Sequence, residues 1–255
     1  MTLPAWGSGS LSMSQIQGEF GGSNPISLSE YYSGGSYVPP GTVGFPGGVA
    51  TVIPTSGTIS IANFFGATNF TPVTHTYTSG SGSETVPTGA QTLTLTVIGA
   101  GGGGGGSYTD FGSDNYSSGG GGGGAGSSFK TISISPSDWS GTIAYSVGST
   151  TGASSTSSGS LVAGSISITA NGGGYGGSGT STQGGAGGSG GSATGGDTNT
   201  PGTDGDPGFN SGSSGIAGGA GGYSADPSYG TGATGADAPG IPGAPLYGVV
   251  IFAWT

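Results

Sequence analysis

Residues 99–126 hold 15 glycines in 28 positions, and residues 172–222 hold 23 in 51; the 45 residues between them hold only 5. Ordering a glycine costs roughly 0.5–1 kcal/mol more than ordering an alanine. Blocks of this kind therefore stay loose unless their backbone groups are almost completely paired. A glycine-rich chain has one dense way of doing so. A polyproline II helix has three residues per turn and no internal hydrogen bonds. Several such helices with glycine on every side approach closely and pair their N–H and C=O groups with one another. Cα–H···O contacts add a weak further attraction. The competing arrangement is flexible loops. Short Gly-x-y runs at 202–208 and around 240–245 favour local polyproline II, but they are too short and broken for collagen.

Each block is bracketed by segments of strand character, which supply the anchor such a bundle needs. TLTLTVI (92–98) alternates Leu93, Leu95 and Val97 against threonine, so one face is buried. His75 to Thr78, FKTISIS (129–135), TIAYSV (142–147) and Leu161–Ala170 are four further strands, with a turn at Val86–Gly89. LYGVVIFAW (246–254) is the most apolar run in the chain and reads as a central strand buried on both faces. About six strands suffice for a small sandwich. The fold class expected is mainly β: a small β-sandwich with inserted glycine-rich polyproline II helices or loops over 71–255.

Residues 1–70 differ. LSMSQIQGEFGG (11–22), ISLSEYYSGG (26–35) and ISIANFFGAT (59–68) share an apolar–Ser–apolar–Ser/Ala start, an apolar or aromatic pair, and a glycine stop. The start has period 2 and predicts a short strand. A serine such as Ser14 or Ser29 can cap the turn that follows. Each unit is too small to bury a core alone, so it packs on its neighbours or on another subunit.

Charge excludes several functions. The chain has one lysine, no arginine and 11 acids, for a formal charge of −10. Duplex nucleic acid and anionic membranes are bound through Lys and Arg, so neither is an expected partner. With no cysteine there is neither a disulfide scaffold nor a thiolate metal site. No apolar run reaches the roughly 18 residues of a membrane span. The opening MTLPAWGSGS lacks the basic and apolar regions of a signal peptide.

Motifs for chemistry are weak. VIGAGGGG (97–104) satisfies G-x-G-x-x-G after a strand, but no helix follows, and in so glycine-rich a stretch the match is nearly inevitable. Lys130 lies inside a strand pattern, so there is no P-loop. His75, the single histidine, reads as a polar-face strand residue. Asp197, Asp204, Asp206, Asp226 and Asp237 lack the spacing of an EF-hand or a calcium-binding β-helix repeat, and solvated turn residues explain them better. No catalytic constellation, cofactor or metal site is expected, and the chain is not expected to be an enzyme. The aromatic and Asp/Asn residues that interrupt the glycine runs stand out instead. These are Tyr108, Asp110, Phe111, Asp114, Asn115 and Tyr116, then Tyr175, Phe209, Tyr223 and Tyr229. Where polyglycine stops the chain must turn, so these positions are expected at helix tips, either as a binding surface or packed over the bundle ends.

The segments LSMSQIQGEFGGSNPISLSEYYSGGSYVP (11–39) and IPTSGTISIANFFGAT (53–68) resemble a short module recurrent in tailed-phage tail and fibre proteins. TYTSGSGSETVPTGAQTLTLTVIGAGGGGGG (76–106), ITANGGGYGG (168–177) and YGVVIFAWT (247–255) resemble glycine-rich domains of phage tail fibres and tip adhesins. The resemblance implies a β-sandwich with polyproline II helices and receptor contact through loops at the bundle tip. On this expectation the chain is a non-enzymatic virion protein of a phage tail, made in the host cytoplasm. Residues 1–70 dock it to tail, fibre or baseplate proteins through Ile16, Phe20, Ile26, Leu28, Tyr31, Tyr32, Phe64 and Phe65. The ten interrupting residues named above meet a bacterial surface carbohydrate or outer-membrane protein. Two rival readings are a purely structural tail or capsid decoration or spacer protein, and an ice-binding protein with a flat Thr/Ala face.

Overall fold

The computed structural model describes residues 3–110, 112, 115–148, 155–161, 164–211, 217–238 and 240–255. In the N-terminal module the three sequence repeats each form a helical turn, not a strand. The first is helix α1 (Met13–Phe20); the others are 3-10 turns at Leu28–Glu30 and Ile61–Phe64. The period-2 start is only one extended residue, the N-cap, at Ser12, Ser27 and Ser60. The capping serine therefore lies two positions before Ser14 and Ser29. In the first and third repeats the third residue after it supplies the physical reason. Gln15 Oε1 accepts the Ser12 N–H at 2.9 Å, and Asn63 Oδ1 accepts the Ser60 N–H at 2.8 Å. That local bond satisfies a donor that a strand would have to pair elsewhere. Gly21, at φ 87°, ends α1 with its N–H on Gln17 O. Here a side chain would be strained.

The three units do pack on one another. Ile16, Phe20, Tyr31, Val38, Ile53 and Phe64 are buried in one shared core. Phe20 and Tyr31 both meet the Phe64 ring edge-on, with centroids 6.1 and 6.3 Å apart. Strands β1 (Val43–Gly44) and β2 (Thr51–Val52) form a short hairpin beside them. This corrects the docking expectation. Ile16, Phe20, Tyr31 and Phe64 are interior, and Ile26, Leu28 and Phe65 pack half-buried against them. Tyr32 is half-buried and donates its hydroxyl to Gly57 O. Four of the eight side chains are consumed by the module's own core and offer no surface.

The second part is a sandwich of two five-stranded antiparallel sheets. In chain order its strands are β3 (Val73–Tyr77), β4 (Ser81–Thr85), β5 (Thr92–Ile98), β8 (Ser127–Ser133), β9 (Thr142–Ser146), β10 (Ser155–Leu161), β11 (Gly164–Ala170), β12 (Ala193–Thr194), β13 (Thr198–Thr200) and β15 (Val249–Trp254). β6 (Tyr108–Asp110), β7 (Asn115–Ser117) and β14 (Asn210–Ser211) lie apart in a small three-stranded sheet. The sandwich sheets run β13-β8-β5-β15-β3 and β12-β11-β10-β9-β4. Leu93, Leu95 and Val97 of β5 and Val250, Phe252 and Trp254 of β15 face Ile143, Ile166 and Ile168 across one core. β15 is central, as its apolarity predicts. Two strands escape a hydrophobic reading. β4 is an edge strand whose one buried residue is Glu84. β10 reads STSSGSL, yet pairs on both sides, and Gly159 fits opposite Ile143, where an added Cβ would lie 3.3 Å from the isoleucine side chain.

The glycine blocks are ordered extended segments, not loose loops. Segment 118–126 runs up the middle. Six others surround it in chain order: 99–106, 171–179, 184–192, 201–209, 217–223 and 230–238. The central N–H groups are dealt out with period three. Gly119, Gly122 and Ala125 donate to 230–236; Gly120, Gly123 and Gly126 donate to 171–177; Gly121 and Gly124 donate to 203–206. Segments 99–106, 184–192 and 217–223 donate back to central carbonyls. Each ring segment also bonds the next, and 230–238 closes the ring onto 99–106 through Ala233 and Ala236. A repeat of three is the polyproline II period. A Cβ on Gly121 would lie 1.9 Å from Ala220 O, and one on Gly122 would lie 2.1 Å from Gly102 O. Hence the centre is glycine except at its two ends, Ser118 at the far end and Ala125, which sits at the foot of the bundle among Ile98 and Val249. Its nine residues, eight steps of about 3.1 Å, make the central helix about 25 Å long.

Candidate functional site

The strands fix which end of the bundle is which. Gly99, Gly126, Asn171 and Ser192 adjoin β5, β8, β11 and β12, and hydrogen bonds link them in a row at the sandwich. Successive segments reverse direction at the opposite end, which carries the described residues 107–110, 115–117, 180–183, 208–211, 237–238 and 240–242. There the three small strands pair in the order β14-β7-β6. Ser117, the last residue of β7, and Ser118 after it are buried: Ser117 Oγ donates to Thr180 O at 2.6 Å, and Ser118 Oγ accepts the Phe209 N–H at 2.7 Å. Asn115 Nδ2 donates to Ser181 O, and Ser107 Oγ donates to Gly240 O at 3.1 Å. Four reversals are thus sewn into one end surface.

This end gathers Tyr108, Asp110, Asn115, Tyr116 and Phe209. The register of β6 and β7 pairs Tyr108 with Ser117, Thr109 with Tyr116, and Asp110 with Asn115. Alternation along a strand then puts Tyr108, Asp110 and Asn115 on one face and Tyr116 on the other. Phe209 is 60 % exposed, and Ile241, which the sequence reading missed, is 88 % exposed on the 237–242 reversal. Phe111 and Asp114 lie outside the described residues. The other three expected residues are elsewhere. Tyr175 projects from the side of the bundle halfway along 171–179, well exposed. Tyr223 and Tyr229 flank the 224–230 reversal at the sandwich end, where Tyr229 packs half-buried near Ile98, Ala125 and Val249. The reason is simple: polyglycine pauses at both ends of each excursion, so only every second interruption is distal.

The aspartates act as backbone acceptors where the ring leaves an amide unpaired. Asp204 Oδ1 takes the Gly190 N–H at 2.7 Å, Asp237 Oδ1 takes Gly218 N–H at 2.8 Å, and Asp110 Oδ1 takes Gly112 N–H at 3.0 Å. Asp226 does the same for Ser228. Asp197 takes the Thr131 N–H at 2.8 Å with Lys130 Nζ at 3.4 Å, and these hold its carboxyl below the usual carboxylate range. Among the described residues no three His, Cys, Asp or Glu side chains converge in a metal-ligating group, and no helix is long and apolar enough to cross a membrane.

One polar cluster lies outside this end. Glu84, 4 % exposed, accepts from three groups: His75 Nδ1 at 2.6 Å, Tyr77 Oη at 2.5 Å and Trp254 Nε1 at 3.2 Å. It joins edge strand β4 to β3 and β15, tying the two sheets where they part. The Tyr77 hydroxyl is pushed up to about 12, first by its bond to the Glu84 carboxylate and then by burial. His75 is therefore more than a polar-face residue. Its partner was hidden because a lone glutamate in SGSET carries no apolar signal. Comparison with protein-family models and with characterised proteins finds no match for this chain.

Proposed function

We propose that the chain is a virion component of a tailed-phage tail (fibre, tail tip or baseplate) that contacts the host surface through the far end of its glycine bundle. The observation that carries this reading is the concentration of four chain reversals, with Tyr108, Tyr116, Phe209 and Asn115, at the end farthest along the bundle from the sandwich. A scaffold paired at nearly every central amide presents such groups with little ordering cost on binding. The aromatic-rich end, whose carboxylates Asp110 and Asp237 are engaged with the amides of Gly112 and Gly218, suits a carbohydrate or an outer-membrane protein loop. The phage-like repeats of residues 1–70 support attachment to a tail partner, with Tyr32 and the module's exposed rim in contact. Purified protein should block adsorption of the phage that encodes it, and the Tyr116→Ala/Phe209→Ala double variant should lose that effect at unchanged melting temperature. No competition by the wild type would overturn the receptor role. Competition unaffected by the tip substitutions, with labelled antibody still locating the protein on the tail, would favour a spacer.

Ice binding is a second reading with one observation in its favour. The buried alternation of β5 turns Thr94 and Thr96 outward, and register brings Thr74, Thr76, Thr131 and Thr198 onto the same outer face. Phe129 and Ile251 interrupt that array. A thermal-hysteresis measurement separates the two readings.

A further inference from the structure

Residues 240–247 (GIPGAPLY) run along the outside of the bundle, antiparallel to 230–238. Pro242 and Pro245 fix their own φ near about −65° and push Ile241 and Ala244 toward extended backbone, so the run is built for polyproline II. Its tethers have that helix's period of three. Gly240 N–H meets Ser107 Oγ at 3.3 Å, Gly243 N–H meets Thr234 O at 3.0 Å, and Leu246 N–H meets Thr231 O at 2.9 Å. The middle tether needs glycine, because a Cβ there would lie 2.5 Å from Thr234 Oγ1. Most of this strap faces solvent. Ile241 is 88 %, Tyr247 58 % and Leu246 41 % exposed, Pro242 and Ala244 are exposed too, and none of the eight residues is charged. The five carbonyls from Ile241 to Pro245 accept no hydrogen bond among the described residues.

We propose that 240–247 is a docking ridge for another protein, one that presents a groove lined by tryptophan and tyrosine. Pro242-Gly-Ala-Pro245 sets two pyrrolidine rings one helical turn apart on one face, and aromatic side chains pack on such a ridge. The backbone inventory selects the donors. Proline has no N–H, so the unpaired groups are three N–H (Ile241, Ala244 and Tyr247) against five carbonyls among the described residues. A second copy of the strap would bring the same excess of acceptors and leave carbonyls buried without partners. Indole N–H and phenol O–H groups supply donors without charge, which suits a ridge that has no carboxylate to balance a lysine or arginine. The tethers already order the strap, so binding costs little conformational entropy on this side. The ridge uses none of Tyr108, Tyr116 and Phe209 and does not rest on the receptor reading. Loss of adsorption competition at the tip would leave it standing.

The test titrates the full-length protein with N-acetyl-tryptophanamide up to about 30 mM, and in parallel with N-acetyl-leucinamide, following backbone amide shifts by NMR. The tryptophan probe should bind with a dissociation constant on the order of 10 mM and shift the amides of Ile241, Ala244 and Tyr247 together. The leucine probe should bind at least about threefold more weakly. Pro242→Ala/Pro245→Ala removes both rings and keeps every carbonyl and every tethering amide. It should weaken tryptophan binding about threefold or more. Ile241→Thr keeps both prolines and should weaken it about twofold, which decides the matter if the double variant loosens the tethers. No shift within 240–247, equal shifts with the leucine probe, or binding undiminished in either variant would overturn the proposal. So would a wild-type dimer in sedimentation at about 100 μM that I241T dissolves, since a second copy would then cover the ridge.

Discussion

Gly122→Ala should collapse the bundle locally, although it adds one methyl group. The Cβ would lie 2.1 Å from Gly102 O and 2.8 Å from Gly103 O. Ordinary contact needs about 3.4 Å or more, so one of the two segments must move by more than an ångström. Four hydrogen bonds of 2.8 Å meet at this point: Gly122 N–H to Ala233 O, Gly222 N–H to Gly122 O, Gly102 N–H to Gly123 O, and Ala233 N–H to Gly102 O. Each is worth about 1 kcal/mol net, and more if its groups stay buried without partners. Removing a glycine from the unfolded chain returns about 0.4–1 kcal/mol. The expected loss is therefore about 3 kcal/mol, a large part of a typical stability. For a chain of this size that lowers the melting temperature by about 6–12 °C. Calorimetry on G122A measures it. Gly9→Ala is the control, because a Cβ there meets nothing within 4 Å. Amide hydrogen exchange supplies a second readout: residues 119–126 should exchange only through global unfolding. If G122A melts within a degree of G9A, or the central amides exchange like loop amides, the closed ring is wrong.

Three further outcomes follow. Ser12→Ala should destabilise the N-terminal module by about 1 kcal/mol, whereas Ser27→Ala should cost less, since Ser27 makes no side-chain cap bond; urea melts of the two variants rank them. Tyr77 should titrate near pH 12, visible in absorbance at about 295 nm, and Glu84→Gln should move it back toward about 10. Because the folded value is raised, Tyr77 contributes stability below about pH 10 that is lost as pH climbs toward 12, and E84Q should flatten that alkaline limb. Asp197 has the opposite sign: its lowered value contributes stability at neutral pH that is lost on acidification through the folded value, so Asp197→Asn should be less sensitive to acid below about pH 4.

Elements that carry apolar alternation were legible. β5 stands where TLTLTVI places it, because a half-buried strand of a sandwich writes its geometry in period 2; β15 is central, as LYGVVIFAW (246–254) predicts, but it begins only at Val249 and is not buried on both faces, since Ile251 and Ala253 are half-exposed. β4 and β10 were not, because an edge strand and a serine-rich strand between small neighbours need no apolar side chains. In residues 11–15, 26–30 and 59–63 period 2 misled: the same letters encode an N-cap followed by a helical turn, and in the first and third the Gln or Asn three residues on decides between them. The site was legible in part. Glycine pauses mark every reversal, yet no local signal tells a distal reversal from one at the sandwich, so Tyr108, Tyr116 and Phe209 are at the far end and Tyr223 and Tyr229 are not. That distinction depends on counting excursions from the strands. β12 and β13, lying inside the second glycine block, disguise the count.

The low charge of the chain follows from the same geometry. A helix enclosed by six neighbours has no direction in which a side chain can leave, so 119–124 must be glycine whatever the protein does. Ring helices have only an outward face, and there Tyr175 projects while Asp204 and Asp237 turn back to cap amides that no seventh neighbour reaches. Side chains of any size are thus pushed to the reversals. Sequence change at those reversals leaves the central hydrogen bonds of Gly119 to Gly126 untouched, since among the distal residues only the Phe209 backbone takes part, at Ser118. Such a molecule can alter what its end recognises without altering what holds it up. A glycine content that would otherwise mean disorder here separates a nearly invariable scaffold from a surface open to change.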